Sequence, residues 1–145
     1  MVLTFTAILL GVFFIIPPLR KNNFYMIHAG LVIMAAYYVE ENYFRTTPFH
    51  AKTMLLFLVF HLVFINLVTF IAYGVDKSSA QSRRWRIPES NLHTLEFLGG
   101  WAGALLGQKI FRHKTKKKSY QLFFWAMMVA EAILIFFILT FLGII

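Results

Sequence analysis

The chain has 145 residues, of which 59% are hydrophobic and 14% charged, and its mean hydropathy is +0.69. Fourteen Lys and Arg outnumber six Asp and Glu, and cysteine is absent. Soluble domains carry about 25% charged residues, so this composition indicates an integral membrane protein. The absence of cysteine excludes disulfides, thiolate nucleophiles and cysteine-based metal sites.

Four apolar segments are candidates for membrane-spanning helices, which need about 20 residues each. These segments are residues 2–16, 24–39, 53–73 and 121–145. The first has no basic leader and is followed by Arg20 and Lys21, so we do not expect a cleaved signal peptide.

A fifth apolar segment, residues 92–111, lies between two basic clusters. The clusters are Lys77, Arg83, Arg84 and Arg86 before it, and Arg112, Lys114, Lys116, Lys117 and Lys118 after it. If this segment crossed the membrane, one cluster would lie outside, against the positive-inside tendency. We therefore predict an all-α membrane protein with four transmembrane helices, both ends outside, and a Gly-rich re-entrant or interfacial element at 92–111. Five spans are the alternative.

The predicted topology puts twelve of the fourteen Lys and Arg on the cytoplasmic side, leaving Arg45 and Lys52 outside. It divides the chain into an N-terminal transmembrane hairpin, residues 1–50, and a membrane domain, residues 51–145. The second domain carries a cytoplasmic-side basic block at 74–120.

Three glycines in the fifth segment, Gly99, Gly103 and Gly107, recur every four residues. On a helix this spacing forms a stripe that lets another helix approach closely. The alternative is a backbone N–H cradle for a phosphate, although no GKS or GKT sequence follows the glycines.

Intramembrane polar residues are expected at His61, Asn66 and Glu131. His61 and Glu131 fall at similar depth and could hydrogen-bond to each other. Ionisable residues at such depth indicate a proton relay or ion site, and the alternative is a polar tie between two helices.

Catalytic signals are sparse in this sequence. His93 and Glu96 are three residues apart and can share a helical face, and His93 and His113 are the candidate proton carriers. We recognise no nucleophile motif, paired-carboxylate site or metal-ligand cluster, and no cofactor is expected.

The succession DK, WRIPE, an LGG helix with GA and LG, and FRHKTKK resembles domain of unknown function 1294. This is a bacterial family of small membrane proteins, some of which carry a cold-shock domain in front. The resemblance runs roughly from Leu62 to the C-terminus, and an apolar hairpin at 2–43 replaces the soluble domain. It implies a membrane fold and a location in the bacterial cytoplasmic membrane, but no established activity.

The tract FRHKTKKKSY, residues 111–120, is rich in basic side chains and is therefore expected to attract anions. Diffuse attraction to acidic lipids is worth about 1 kcal/mol per cation near the surface. A directed anion site is the alternative, because Arg grips phosphate bidentately while Lys adds charge. The predicted anion contacts are Arg86, Arg112, His113 and Lys114, with Asp76 and Glu89 orienting them. Arg83 and Arg84 would approach from the same flank as Arg86.

The leading functional prediction is a membrane protein whose cytoplasmic face binds a phosphate-bearing ligand or acidic lipid. The alternatives are an accessory subunit of a larger membrane complex and an enzyme acting on a lipid or lipid-linked phosphate. The expected partners are membrane lipids, especially anionic ones, with a protein partner or homo-oligomer as a further option. Direct nucleic-acid binding is not expected, because Trp85 and Tyr120, the candidate stacking residues, are better explained as interface anchors.

Overall fold

The computed structural model describes residues 1–43, 50–82 and 85–141, and every regular element within these ranges is helical. Arg45, Arg83 and Arg84, whose positions were predicted above, lie outside the described residues. The α-helices are α1 (Val2–Ile15), α2 (Asn23–Asn42), α3 (Ala51–Gln81), α4 (Glu89–Leu95), α5 (Trp101–Phe111) and α6 (Lys118–Phe141), with a 3₁₀ turn at Pro17–Lys21.

Two of these helices are long and apolar enough to cross a membrane, namely α3 and residues 118–137 of α6. Both leave most of their surface uncovered by the rest of the chain. Helix α1 has 14 residues, or about 21 Å at 1.5 Å per residue. It ends before Pro17 and Pro18, which lack an amide N–H and disfavour continuation. The structure thus supports an all-helical fold with two candidate spans.

Helix α3 continues beyond Tyr73, where the apolar run ends in the sequence, to Gln81. Tyr73 is fully buried, and Tyr120 near the start of α6 is 1% exposed. The prediction of Tyr120 as an interface anchor is therefore wrong. The apolar rings of both tyrosines pack in the core while their hydroxyl groups bind one buried carboxylate, described below.

The segment 92–111 folds as two helices separated by a break at Glu96–Gly100. Gly99 adopts φ +97°, a conformation in which an L side chain is strained. Asn66 binds the break from α3, since its Nδ2 donates to the Gly99 carbonyl at 2.9 Å and its Oδ1 accepts from the Gly103 N–H at 2.7 Å. His61 Nε2 donates to the Leu98 carbonyl at 2.8 Å. These side chains satisfy backbone groups that the break removes from the helix ladder.

The glycines of this segment have two different roles. A Cβ at Gly103 would overlap the Asn66 backbone, and one at Gly107 would lie 2.8 Å from Tyr73 Cβ. These two glycines let α5 lie directly against α3. Gly99 belongs to the break instead, facing His61 and Glu131, so the predicted three-glycine stripe is interrupted.

The N-terminal hairpin packs on the rest of the chain through α2 and α3. Phe5 of α1 meets Phe57 of α3 with ring centroids 5.0 Å apart. The Asn22 side chain caps α2 and donates from Nδ2 to the Asn91 carbonyl of α4 at 3.1 Å. The beginning of α2 is thereby tied to the beginning of the broken segment.

We expect Gly103→Ala to lower the free energy of unfolding by about 1–3 kcal/mol, the usual effect of overpacking, because the new methyl group meets the Asn66 backbone. Gly30→Ala is the matched control, since nothing lies within 4 Å of its added Cβ. In the control, the free energy of unfolding should rise by about 0.5–1 kcal/mol, because alanine has a higher helix propensity than glycine. Thermal unfolding of the full chain in mild detergent measures both changes in stability. Equal melting temperatures of the two variants would contradict the α3–α5 contact.

Candidate functional site: a cationic cleft above Asp76

A cleft of about 680 Å³ opens where α3 and α5 end and α4 and α6 begin. Its lining residues are Arg86, Glu89, Arg112, His113, Lys114, Thr115, Lys116 and Lys117. Five of these residues are Lys or Arg and one is an acid, so the lining carries a large excess of positive charge. This arrangement attracts anions and concentrates them locally.

Asp76 lies beneath the cleft, on the last turns of α3, and its side chain is fully buried. Its Oδ2 accepts a hydrogen bond from His113 Nε2 at 2.7 Å. Lys114 Nζ lies 3.4 Å from the same oxygen and an Arg86 guanidinium nitrogen 3.6 Å from it. One carboxylate oxygen therefore joins α3, the segment 85–88 and the connection 112–117.

The connection 112–117 turns sharply because Arg112 and Lys114 both have positive φ angles, +46° and +62°. Each such non-glycine residue costs about 1–2 kcal/mol. The turn places His113 and Lys114 inward, both 8% exposed, while Arg112, Thr115 and Lys116 remain exposed. Backbone strain held by buried ion pairs is typical of functional sites.

Glu89, in the first turn of α4, holds two lysines at the edge of the cleft. Lys114 Nζ donates to its Oε1 at 2.9 Å, and Lys117 Nζ donates to both carboxylate oxygens at 2.7 and 2.8 Å. Hydrogen bonds from Lys117 and Lys114 lower the pKa of Glu89 from its ordinary 4.5 to about 2. Lys114 also lies 4.6 Å from the Tyr120 ring centroid, within the range of a cation–π contact.

The structure brings together five residues proposed from the sequence, Arg86, Glu89, His113, Lys114 and Asp76. Within this group His113 and Lys114 direct their polar atoms to the acids. The exposed cations of the cleft are Arg86, Arg112, Lys116 and Lys117. Sequence reasoning missed Lys116 and Lys117 as lining residues, because three consecutive lysines are typical of a diffuse basic belt.

A second polar centre lies below the cleft around Glu96, which is 1% exposed. Its Oε1 accepts from the hydroxyl groups of Tyr73 and Tyr120 at 2.5 and 2.6 Å, and its Oε2 accepts from His93 Nδ1 at 2.7 Å. Gln108 Nε2 donates to the Tyr73 hydroxyl at 3.3 Å. The sequence showed the His93–Glu96 spacing but gave no signal for the two tyrosines, which reach Glu96 from other helices.

His93 lies between this buried centre and a groove of about 450 Å³ on the side of the protein. The residues lining the groove are Ile16, Glu89, Ser90, His93, Thr94, Phe97, Phe123 and Met127. The His93 ring stacks on Tyr120 with centroids 4.3 Å apart. Because Nδ1 bonds Glu96, Nε2 is the ring nitrogen left for other chemistry.

The predicted His61–Glu131 hydrogen bond is not formed. His61 Nε2 binds Leu98, while His61 Nδ1 and Glu131 Oε2 are buried without a partner among the described residues. His28 of α2 is fully buried, with its ring centroid 4.9 Å from that of His61. Among the described residues no three His, Cys, Asp or Glu side chains are placed to hold a metal ion.

Both polar centres lie in the part of the chain that matches a known protein family. The profile of the family described as "Protein of unknown function (DUF1294)" matches residues 66–120. The "Uncharacterized protein YsdA" of Bacillus subtilis (strain 168) is 44% identical over 75 residues, which cover 52% of this chain and 84% of that protein. No solved structure matches the chain.

We expect the Glu89 ion pairs to survive acidification that would neutralise an ordinary glutamate. A carboxylate with a lowered folded pKa stabilises the fold above its unfolded pKa, and this stabilisation disappears as the pH falls through the folded value. The difference in melting temperature between the wild type and Glu89→Gln should thus be constant above about pH 5. It should shrink from there towards pH 2, near the lowered pKa. Glu41→Gln, at an exposed position, is the control and should show no such pH-dependent difference in melting temperature. A pH-independent difference between the wild type and Glu89→Gln would contradict the ion pairs.

Proposed function

The chain belongs to the DUF1294 family, whose description names no activity, and from its cleft we propose that it binds an anionic, phosphate-bearing ligand at the cytoplasmic face of a bacterial membrane. The observation that carries the proposal is a cleft with five Lys and Arg around one acid, Glu89. The second acid near the cleft, Asp76, is buried beneath the lining residues. The positive charge facing the opening is therefore only partly compensated.

The exposed cations are of two kinds with complementary roles. Arg86 and Arg112 present planar guanidinium groups that can bind two oxygens of one phosphate at once. Lys116 and Lys117 add compact positive charges whose hydrogen-bond geometry is less directional. Lys117 is already held by Glu89, so part of the site is ordered before a ligand arrives, which lowers the entropic cost of binding.

The proposed topology follows from the distribution of basic residues. In this proposal α1, α2, α3 and α6 form four spans, and α4 with α5 re-enters from the cytoplasmic side. Arg20, Lys21 and the cleft then lie on the same face, in agreement with the positive-inside tendency. The broken helix fits this arrangement, because non-helical backbone at membrane depth needs protein partners, and Asn66 and His61 provide them.

We expect the purified full chain to retain a discrete anionic adduct in native mass spectrometry, and Arg112→Gln/Lys116→Gln to lose it. Both substitutions remove charge from exposed cleft side chains while leaving the Asp76 and Glu89 ion pairs intact. Arg20→Gln/Lys21→Gln removes the same charge from another basic site and should keep the adduct. Equal loss in both double variants would show diffuse attraction, and equal retention would overturn the proposed site.

An enzyme acting on a lipid or lipid-linked phosphate is the second candidate, and the His93–Glu96 pair favours it. A carboxylate on Nδ1 holds the imidazole in the tautomer whose Nε2 can accept a proton. That nitrogen has no hydrogen-bond partner among the described residues, and His93 lines the lateral groove beside Glu89. A positioned histidine with this geometry can act as a general base.

If this candidate is correct, incubating the reconstituted protein with phosphatidylglycerol vesicles should change the lipid, as detected by lipid mass spectrometry. His93→Gln should lower the rate by about 100-fold or more, the typical contribution of general acid–base catalysis. His50→Gln, at an exposed position, should have no effect. Unchanged lipid with the wild type would remove this lipid as a substrate, and full activity in His93→Gln would remove the histidine from the reaction.

A further inference from the structure

The cationic cleft and the lateral groove are neighbours, since Glu89 lines both. On this basis we propose that the ligand is an anionic phospholipid, with its phosphate in the cleft and one acyl chain in the groove. This inference rests on the proposed anion site and adds the chemical class of the ligand. The two cavities would then be the polar and apolar halves of a single lipid site.

The groove has a composition suited to a hydrocarbon chain. Its apolar lining comes from Ile16 at the end of α1, Phe97 in the helix break, and Phe123 and Met127 on α6. Ser90 and Thr94 of α4 line it too, on the helix that begins with Glu89. Methionine and phenylalanine side chains pack against irregular apolar surfaces without demanding directional contacts.

The direction of the groove matches the orientation of a lipid. Phe123 is five residues and Met127 nine residues from Lys118, the first residue of α6, or about 8 and 14 Å at 1.5 Å per residue. Lys116 and Lys117 lie just before this helix. The groove therefore continues from the level of the lysines down a candidate membrane-spanning helix.

The charge of the cleft selects among lipids. A zwitterionic headgroup brings its own cation next to Arg86, Arg112 and Lys116, whereas an anionic headgroup brings only negative charge. A small water-soluble phosphate would use the cleft alone and leave the groove without a role. A lipid in the surrounding bilayer can enter sideways, because the groove lies on exposed faces of α4 and α6.

The test measures binding of two probes, dioleoylphosphatidylglycerol and glycerol 3-phosphate, to the full chain in neutral detergent by native mass spectrometry. Thr94→Trp places a bulky ring in the groove without touching the cleft. Val129→Trp adds the same ring at an exposed position of α6 outside the groove. Arg112→Gln/Lys116→Gln tests the cleft in the same titrations.

We expect the wild type and Val129→Trp to bind the lipid at least about tenfold more tightly than glycerol 3-phosphate, a difference of about 1.4 kcal/mol. Thr94→Trp should lose this preference and keep its glycerol 3-phosphate affinity, while the cleft variant should weaken both. Equal affinity of the wild type for both probes, or an unchanged preference in Thr94→Trp, would overturn the lipid site and leave the anion site standing. Failure of both probes to bind would overturn the proposed function itself.

Discussion

The cationic cleft depends on the buried carboxylate of Asp76. A charge without exposure to water is unfavourable unless it is paired and hydrogen-bonded. Asp76 is paired through Oδ2 with His113, Lys114 and Arg86, while its Oδ1 has no hydrogen-bond partner among the described residues. Removing one partner of such a buried pair typically costs about 3–5 kcal/mol, because the remaining charges lose their compensation. The three partners of Asp76 come from two segments far apart in sequence, so the carboxylate fixes their mutual position and with it the shape of the cleft.

The helix break connects this cleft to the buried centre around Glu96. Because the chain bends at Gly99, His93 of α4 and Glu96 of the break can face α6 while α5 lies against α3. Two glutamine contacts then join the Glu96 centre to the cleft: Gln121 Nε2 donates to Gln108 Oε1 at 2.6 Å and to the Lys114 carbonyl at 3.0 Å. Through these contacts, and through Tyr120, which binds Glu96 and contacts Lys114, the break is linked to the turn that carries Lys114.

The sequence predicted the all-helical class and the family, because apolar run length and the order of short motifs are local signals. It did not predict those features that depend on contacts between helices distant in sequence. Tyr120 was predicted as an interface anchor, whereas its hydroxyl group meets that of Tyr73 at 2.7 Å across 47 residues of chain. The inward turn of His113 and Lys114 was also hidden, since it depends on positive φ angles at Arg112 and Lys114, which residue type alone does not favour.

The difference between a basic belt and a binding site lies in what holds the cations. Lysines attracted only to lipid headgroups keep their rotamer freedom and lose it on contact, a cost of about 0.5–1.5 kcal/mol per side chain. Here Glu89 holds Lys114 and Lys117, and Asp76 holds His113 and Lys114. These side chains therefore lose their conformational entropy when the protein folds, before any anion binds. The two acids lower the net attraction for anions but fix the positions of His113, Lys114 and Lys117. Two of the six acids of the chain thus lie at its most basic region and hold part of its positive charge in place.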